Sequence, residues 1–484
     1  MLFNSPSFAI FFPVVTLLYF LLPHRMRVAL LLAASCWFYM AFVPKYILIL
    51  AVVIAVDYTA GIVIENSVGP RRKLMLVVSL CTNVAILGFF KYANFIDANV
   101  AELARFLDWN YGSHALKIIL PIGLSFHTFQ SMSYTIEVYR GKFKAERSLL
   151  AFATYVMFYP QLVAGPIERP QNLLHQFHEK HYFDWTRVSD GLRLMAIGLF
   201  KKIVIADRVA LVVNAVYAAP AAHTGSQLFV ATLFFAVQIY CDFSGYSDIA
   251  RGTARVMGFE LMVNFDRPYL AGSIADFWRR WHISLSTWFR DYVYYPLGGN
   301  RRSLARVCYN VSVVFLLSGL WHGANWTFVI WGALHAAFMV AYLLSQSVRL
   351  RIEATLGGAG RMAFGIAGWV TTFSLVVLAW VFFRAASVHD AMLVLTRIAT
   401  DIVPHAGVDL HPGLDSVQFF ISLGLIVALF VTEKVGMRTP IWPAIAAQPR
   451  LRRWSVYYSC AVMFILLLLW SPERNPQPFI YFQF

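Results

Sequence analysis

Apolar residues run in long stretches separated by short breaks that are rich in arginine. The stretches cover 8–22, 28–42, 46–64, 74–90 and 118–138, and downstream 196–216, 228–249, 311–344, 364–383, 419–431 and 456–470. A helix that crosses the hydrocarbon core of a bilayer needs about 20 mostly apolar residues. A membrane barrel would show short alternating segments instead. The pattern therefore predicts an all-α polytopic integral membrane protein, with about 10 spanning helices and re-entrant segments. The first stretch lacks a basic region before Phe8 and a small-residue cleavage site after Leu22, so it reads as a retained helix and not a signal peptide.

Composition supports lipid as part of the solvent, with 59% hydrophobic and only 13% charged residues. The net charge of +15 does not point to nucleic acid, because lysine and arginine fall mainly between the apolar stretches. Basic sets at 25–27, 71–73, 140–147, 251–306, 349–361 and 434–453 can all be cytoplasmic at once. That arrangement places both termini and the loops 91–117, 218–226 and 385–415 outside. It requires the pieces 149–165 and 303–345 to enter and leave on the cytoplasmic side. Re-entrant backbone is stable only where protein or a water-filled cavity covers it, so these two pieces are where a site is expected. The five cysteines have no zinc-finger or CxxC spacing and read as packing residues. No repeat or linker divides the chain, and residues 1–484 read as one membrane domain.

Several segments carry candidate chemistry. In 276–292 the apolar residues Trp278, Trp281, Leu285, Trp288, Phe289 and Tyr292 recur at steps of three and four. The periodicity predicts one amphipathic helix at the membrane interface, with Arg279, Ser286, Thr287 and Arg290 on its polar face. His282 lies at the edge of the apolar stripe. The following Leu297-Gly-Gly-Asn-Arg-Arg302 offers glycine-freed amides beside Asn300, Arg301 and Arg302, a combination that suits a phosphate but also describes an ordinary loop. The run Ser318-Gly-Leu-Trp-His-Gly-Ala-Asn-Trp326 is a polar break within the second re-entrant piece. An ionisable residue at such depth, here His322, is a functional candidate, and a buried imidazole stays neutral and able to accept a proton. A packing histidine hydrogen-bonded between helices is the alternative. Tyr240-Cys-Asp-Phe-Ser-Gly-Tyr-Ser-Asp248 either lines a cavity or caps a helix, and Pro160 to Pro166 stops one. The chain has no G-x-S-x-G elbow, no H-E-x-x-H zinc pair, no G-x-G-x-x-G and no Walker A sequence.

Taken together, these segments resemble the membrane-bound O-acyltransferase family, in its bacterial branch that includes the alginate O-acetyltransferases. The resemblance rests on Phe90-Lys-Tyr-Ala-Asn94, Leu120-Pro-Ile-Gly-Leu-Ser-Phe126, Pro160 to Pro166, Asp242 to Asp248, Phe277 to Tyr292, Leu297 to Arg301, Leu320-Trp-His-Gly-Ala-Asn325 and the ending Tyr481-Phe-Gln-Phe484. Each motif alone is weak, whereas their order and spacing along nearly the whole chain are specific.

What the resemblance implies is a tunnel through the bacterial inner membrane, His322 as the essential histidine and His282 as the second polar position of the active site. It also implies acetyl transfer from a cytoplasmic donor, acetyl-CoA, to an exported polysaccharide such as alginate, completed by an acetyl-accepting partner protein outside the membrane. No permanently bound cofactor or metal is expected. In that chemistry His322 is the base, and His282 either polarises the carbonyl through a ring N–H or orients the acceptor. Asn300, Arg301 and Arg302 would hold the donor's phosphates. Two alternatives remain at this point: a D-alanyl transferase of teichoic acids fed by a carrier protein, and a transporter without covalent chemistry.

Overall fold

A computed structural model describes residues 1–113, 116, 120–404, 407–437, 441–470 and 477–480. The ending Tyr481-Phe-Gln-Phe484 lies outside the described residues, as do parts of the loops 91–117 and 385–415 and the start of the stretch 118–138. Among the described residues the secondary structure is helical, without strands. Eight helices among the described residues are long and apolar enough to cross a membrane: Pro44–Glu65, Gly69–Phe106, Gly225–Met257, Leu304–His322, Trp326–Leu344, Gly358–Arg384, Ser416–Gly436 and Arg450–Leu469. Pro6–Leu21 is a shorter apolar helix. The expected crossing at 196–216 is interrupted by a π-helical stretch, Phe200–Ala206, and is not among the eight.

The helices gather into two compact units. One comprises Met1–Ile197 with Tyr246–Val263, and the other Gly198–Gly245 with Asn264–Ile480.

The first unit contains the piece 149–165. A nine-residue helix, Leu149–Met157, leads into non-helical backbone, and every residue from 151 to 168 is buried. Its polar groups are met from within the protein. Ser35 Oγ accepts from the Tyr159 N–H at 3.0 Å, and the Gln130 and Gln161 amides both donate to the Tyr155 carbonyl, at 2.7 and 2.9 Å. Protein therefore covers this irregular backbone, as low-polarity surroundings require. In the same unit the Asp57 carboxylate is fully buried and accepts from Ser79 at 2.6 Å, from Asn83 at 2.9 Å and from Ser131. These hydrogen bonds tie Ile47–Glu65 to Gly69–Phe106 and Leu124–Tyr139.

In the second unit the piece 303–345 does fold back on itself, but as two full helices and not as irregular re-entrant backbone. Leu304–His322 and Trp326–Leu344 are full helices of 19 residues each, folded back on one another as a hairpin. The polar break is the turn of that hairpin. Asn325 caps the second helix, its Oδ1 accepting the Thr327 N–H at 3.0 Å, and its amide donates to the Ala386 carbonyl at 3.0 Å. Close approach of the two backbones depends on glycine. A Cβ placed on Gly319 would lie 2.4 Å from the Phe328 carbonyl oxygen, and one on Gly332 would lie 2.5 Å from that of Phe315.

Gly332→Val should therefore force the hairpin apart. Overpacking of this kind costs about 1–3 kcal/mol, so thermal unfolding in detergent should occur several degrees lower than in the wild type. An unchanged midpoint would mean that the helices do not meet at this contact.

Candidate active site

His322 is the last residue of the first hairpin helix and is 4% exposed. Aromatic rings enclose it: Trp321 and Trp331 each at 4.9 Å between centroids, and Phe383 at 5.2 Å. Trp331 comes from the return helix of the hairpin, and Phe383 from Gly358–Arg384. Walls of this kind exclude water and lower the local dielectric, which strengthens any hydrogen bond or charge placed inside.

His282 reaches the same indole by another route. The segment 276–292 is not the continuous interfacial helix that its periodicity predicts. Two seven-residue helices, Ile274–Arg280 and Ile283–Phe289, are broken at Trp281 and His282. His282 takes left-handed backbone angles, φ 42° and ψ 56°, an unfavourable conformation for a side chain with a Cβ. The tryptophans of the apolar stripe do not face lipid. Trp281 is 1% exposed and packs on Phe265, Tyr269, Phe277 and Trp380, and Trp278 packs on Phe315 and Trp331. The break places His282 at full burial, 6.0 Å from the Trp321 ring and 4.7 Å from Phe243. Both predicted histidines thus pack against Trp321.

Asn264 holds the break in place. Its backbone carbonyl accepts the Ile283 N–H at 2.9 Å, and its side-chain Oδ1 accepts from the Ser284 N–H at 3.1 Å and the Ser284 hydroxyl at 2.9 Å. The same Oδ1 lies 3.2 Å from His282 Nδ1. Burial pushes the His282 imidazole down to about 3, so the ring is neutral at physiological pH.

Asn300, Arg301 and Arg302 are exposed, in a turn made by Gly298 and Gly299 at φ 111° and 54°. The Tyr294 hydroxyl donates to Asn300 Oδ1, and the Arg302 stem lies against the open side of Gly298. This turn precedes the first residue of the helix that His322 ends. The Gly299 carbonyl accepts from the Asn310 side-chain amide at 3.4 Å, so the turn lies beside the first half of that helix, and Asn310 is about 18 Å from His322 along the axis at 1.5 Å per residue. The structure therefore places both histidines against Trp321 and sets the arginine turn toward the other end of the helix that His322 ends.

Some of the surroundings were not among the sequence candidates. His335, fully buried one turn beyond Trp331, accepts from the Trp278 indole N–H at 3.3 Å. Its signal, an ionisable residue inside an apolar helix, is the one that singles out His322. Asn264 gives no such signal, being an ordinary polar residue in a connecting segment. Asp242, a cavity-or-cap candidate, is instead paired with Lys202 at 2.6 Å. Lys202 also meets Asp207 at 2.8 Å, and Asp242 accepts the Ile480 N–H at 2.6 Å.

Residues 81–382 match the profile of MBOAT, the membrane-bound O-acyltransferase family. A probable alginate O-acetylase of Pseudomonas putida is 41% identical over 81% of this chain and 79% of its own length. The chain belongs to the MBOAT family. It is a multi-pass membrane acyltransferase, and the transporter alternative falls with that assignment. A peptidoglycan O-acetyltransferase of Helicobacter pylori is 35% identical over 82% of this chain and 79% of its own. A teichoic acid D-alanyltransferase of Bacillus subtilis is more distant, 27% identical over 52% of this chain and 68% of its own.

The neutral burial of His282 makes stability depend on pH. Its folded value lies below the ordinary 6.5, so between about 3 and 6.5 the unfolded chain binds the extra proton and stability rises with pH. At pH 5 the loss relative to neutral pH is about 2 kcal/mol for this group alone. The acyltransferase should unfold at a distinctly lower temperature at pH 5 than at pH 7.5, and His282→Gln should reduce that difference. An equal acid shift in both proteins would show that His282 takes up its proton while folded.

Proposed function

We propose that this acyltransferase transfers acetyl from acetyl-CoA, taken up on the cytoplasmic side of the bacterial inner membrane, to an exported polysaccharide. An acetyl-accepting partner outside that membrane completes the delivery. The observation that carries the reading is the convergence of His322 and His282 on Trp321 inside a buried aromatic enclosure. The named activities of its relatives, an alginate O-acetylase and a peptidoglycan O-acetyltransferase, support acetyl as the group and a polysaccharide as the acceptor.

In this reading His322 takes the proton of the acceptor hydroxyl as its oxygen attacks the thioester carbonyl. The C–S bond then breaks, and the departing thiolate recovers the proton. The dry aromatic walls protect the thioester from hydrolysis. Arg301 and Arg302, with Asn300, would grip the phosphates of the donor. Their distance from His322 requires the pantetheine arm to lie extended along the hairpin.

Purified protein in liposomes, supplied with radiolabelled acetyl-CoA and an acceptor, tests the assignment. Wild type should transfer label, and His322→Ala should lose roughly 10²–10⁴-fold in rate, as expected for removal of a general base. Wild-type rates in His322→Ala would remove that histidine from the chemistry. A chain that uses a carrier-protein thioester and ignores acetyl-CoA would overturn the donor.

A further inference from the structure

The hydrogen bonds around Asn264 determine which nitrogen of His282 carries the proton. The atom of Asn264 that faces Ser284 receives a backbone N–H at 3.1 Å, and a backbone N–H can only donate. That atom is therefore the carbonyl oxygen Oδ1 and not the amide nitrogen. The Ser284 hydroxyl also donates to it, at 2.9 Å. His282 Nδ1 lies 3.2 Å from this oxygen and 3.4 Å from the Ser284 hydroxyl oxygen. An unprotonated Nδ1 would set its lone pair against the lone pairs of Oδ1 in a site fully shielded from water. With the hydrogen on Nδ1, the ring instead donates to Oδ1, and the serine oxygen serves as a second, longer acceptor. In a neutral imidazole the lone pair then belongs to Nε2.

From this geometry we infer that Asn264 is a positioning residue of the active site, fixing His282 as the Nδ1–H tautomer so that Nε2 faces the chemistry as an acceptor. The inference rests on the proposed role of His282 in acyl transfer. Of the two roles open to this histidine it selects one. A ring whose Nε2 bears a lone pair cannot polarise a carbonyl by donating to it. It can accept a hydrogen bond from a hydroxyl, and so orients the acceptor nucleophile beside His322. Asn264 also binds the Ile283 and Ser284 N–H groups, so the residue that sets the tautomer holds the left-handed turn as well. Side chain and backbone position are thus specified by one residue 18 positions away in the chain.

The test combines a spectroscopic and a kinetic readout on the full chain in detergent micelles. Protein labelled with ¹⁵N at histidine is compared with the same protein carrying His282→Gln, so that the difference spectrum reports His282 alone. The wild-type signal should be a neutral ring with the hydrogen on Nδ1. Asn264→Leu, which keeps the volume and removes the acceptor, should abolish that signature. It should lower kcat for acetyl transfer roughly 10–100-fold, the range seen when the hydrogen-bond partner of a functional histidine is removed, while KM for acetyl-CoA changes little. Asn264→Asp retains an acceptor oxygen and should restore most of kcat at pH 8, which a need for side-chain bulk alone at this position would not explain.

A wild-type spectrum with the hydrogen on Nε2 overturns the inference whatever the activity. So does full kcat in Asn264→Leu. If wild type transfers no acetyl, the proposed function fails, and the spectrum still decides the tautomer. If Asn264→Leu does not fold, the comparison of Asn264→Asp with wild type decides: retention of Nδ1–H with activity supports the inference, and a donor at Nε2 with full activity at pH 8 refutes it.

Discussion

At Trp281 and His282 the chain leaves one helical turn and enters the next through left-handed backbone that a histidine adopts only under constraint. The constraint is Asn264, which accepts from the N–H groups of Ile283 and Ser284 and from the His282 ring. The turn packs a fully buried imidazole against Trp321, the residue before His322. Straightening it into a continuous helix would rotate His282 back into the row with the tryptophans, and the two histidines would no longer share a wall. Strain of this kind persists only when neighbouring hydrogen bonds over-determine it.

The hairpin supplies the other half of the geometry. Two 19-residue helices can lie this close only because Gly319 and Gly332 leave their facing positions empty. His322 thereby sits at the turn, enclosed by Trp331 from the return helix and Phe383 from a third helix. The same helix that carries His322 at its end carries the Arg301 and Arg302 turn at its beginning. A donor held by its phosphates at one end and its thioester at the other would be measured out by the length of that helix.

The membrane character and the all-helical fold were legible because a run of about 20 apolar residues has few other physical outcomes. The burial of His322 was legible for a related reason, as an ionisable residue in an apolar run. Two errors share a cause. The apolar stripe of 276–292 keeps its step across the break at His282, because Trp278 before it and Trp288 after it are both buried; periodicity cannot register a single left-handed residue between them. Likewise the stretch 311–344 contains no charge or proline at its turn, so two helices read as one re-entrant piece. Asn264 could not be found from the sequence at all, since its importance lies in a contact made across 18 residues by a side chain with no unusual spacing. His335 could have been found by the rule that identified His322.

Whether acyl transfer takes place between His282 and His322 is tested most directly by an experimental structure with a non-hydrolysable thioether analogue of acetyl-CoA. The acyl carbonyl should lie beside Trp321, within hydrogen-bond reach of the His322 ring, with the phosphates at the far end of the hairpin against Arg301 and Arg302. An analogue whose acyl group lies away from both histidines would contradict it.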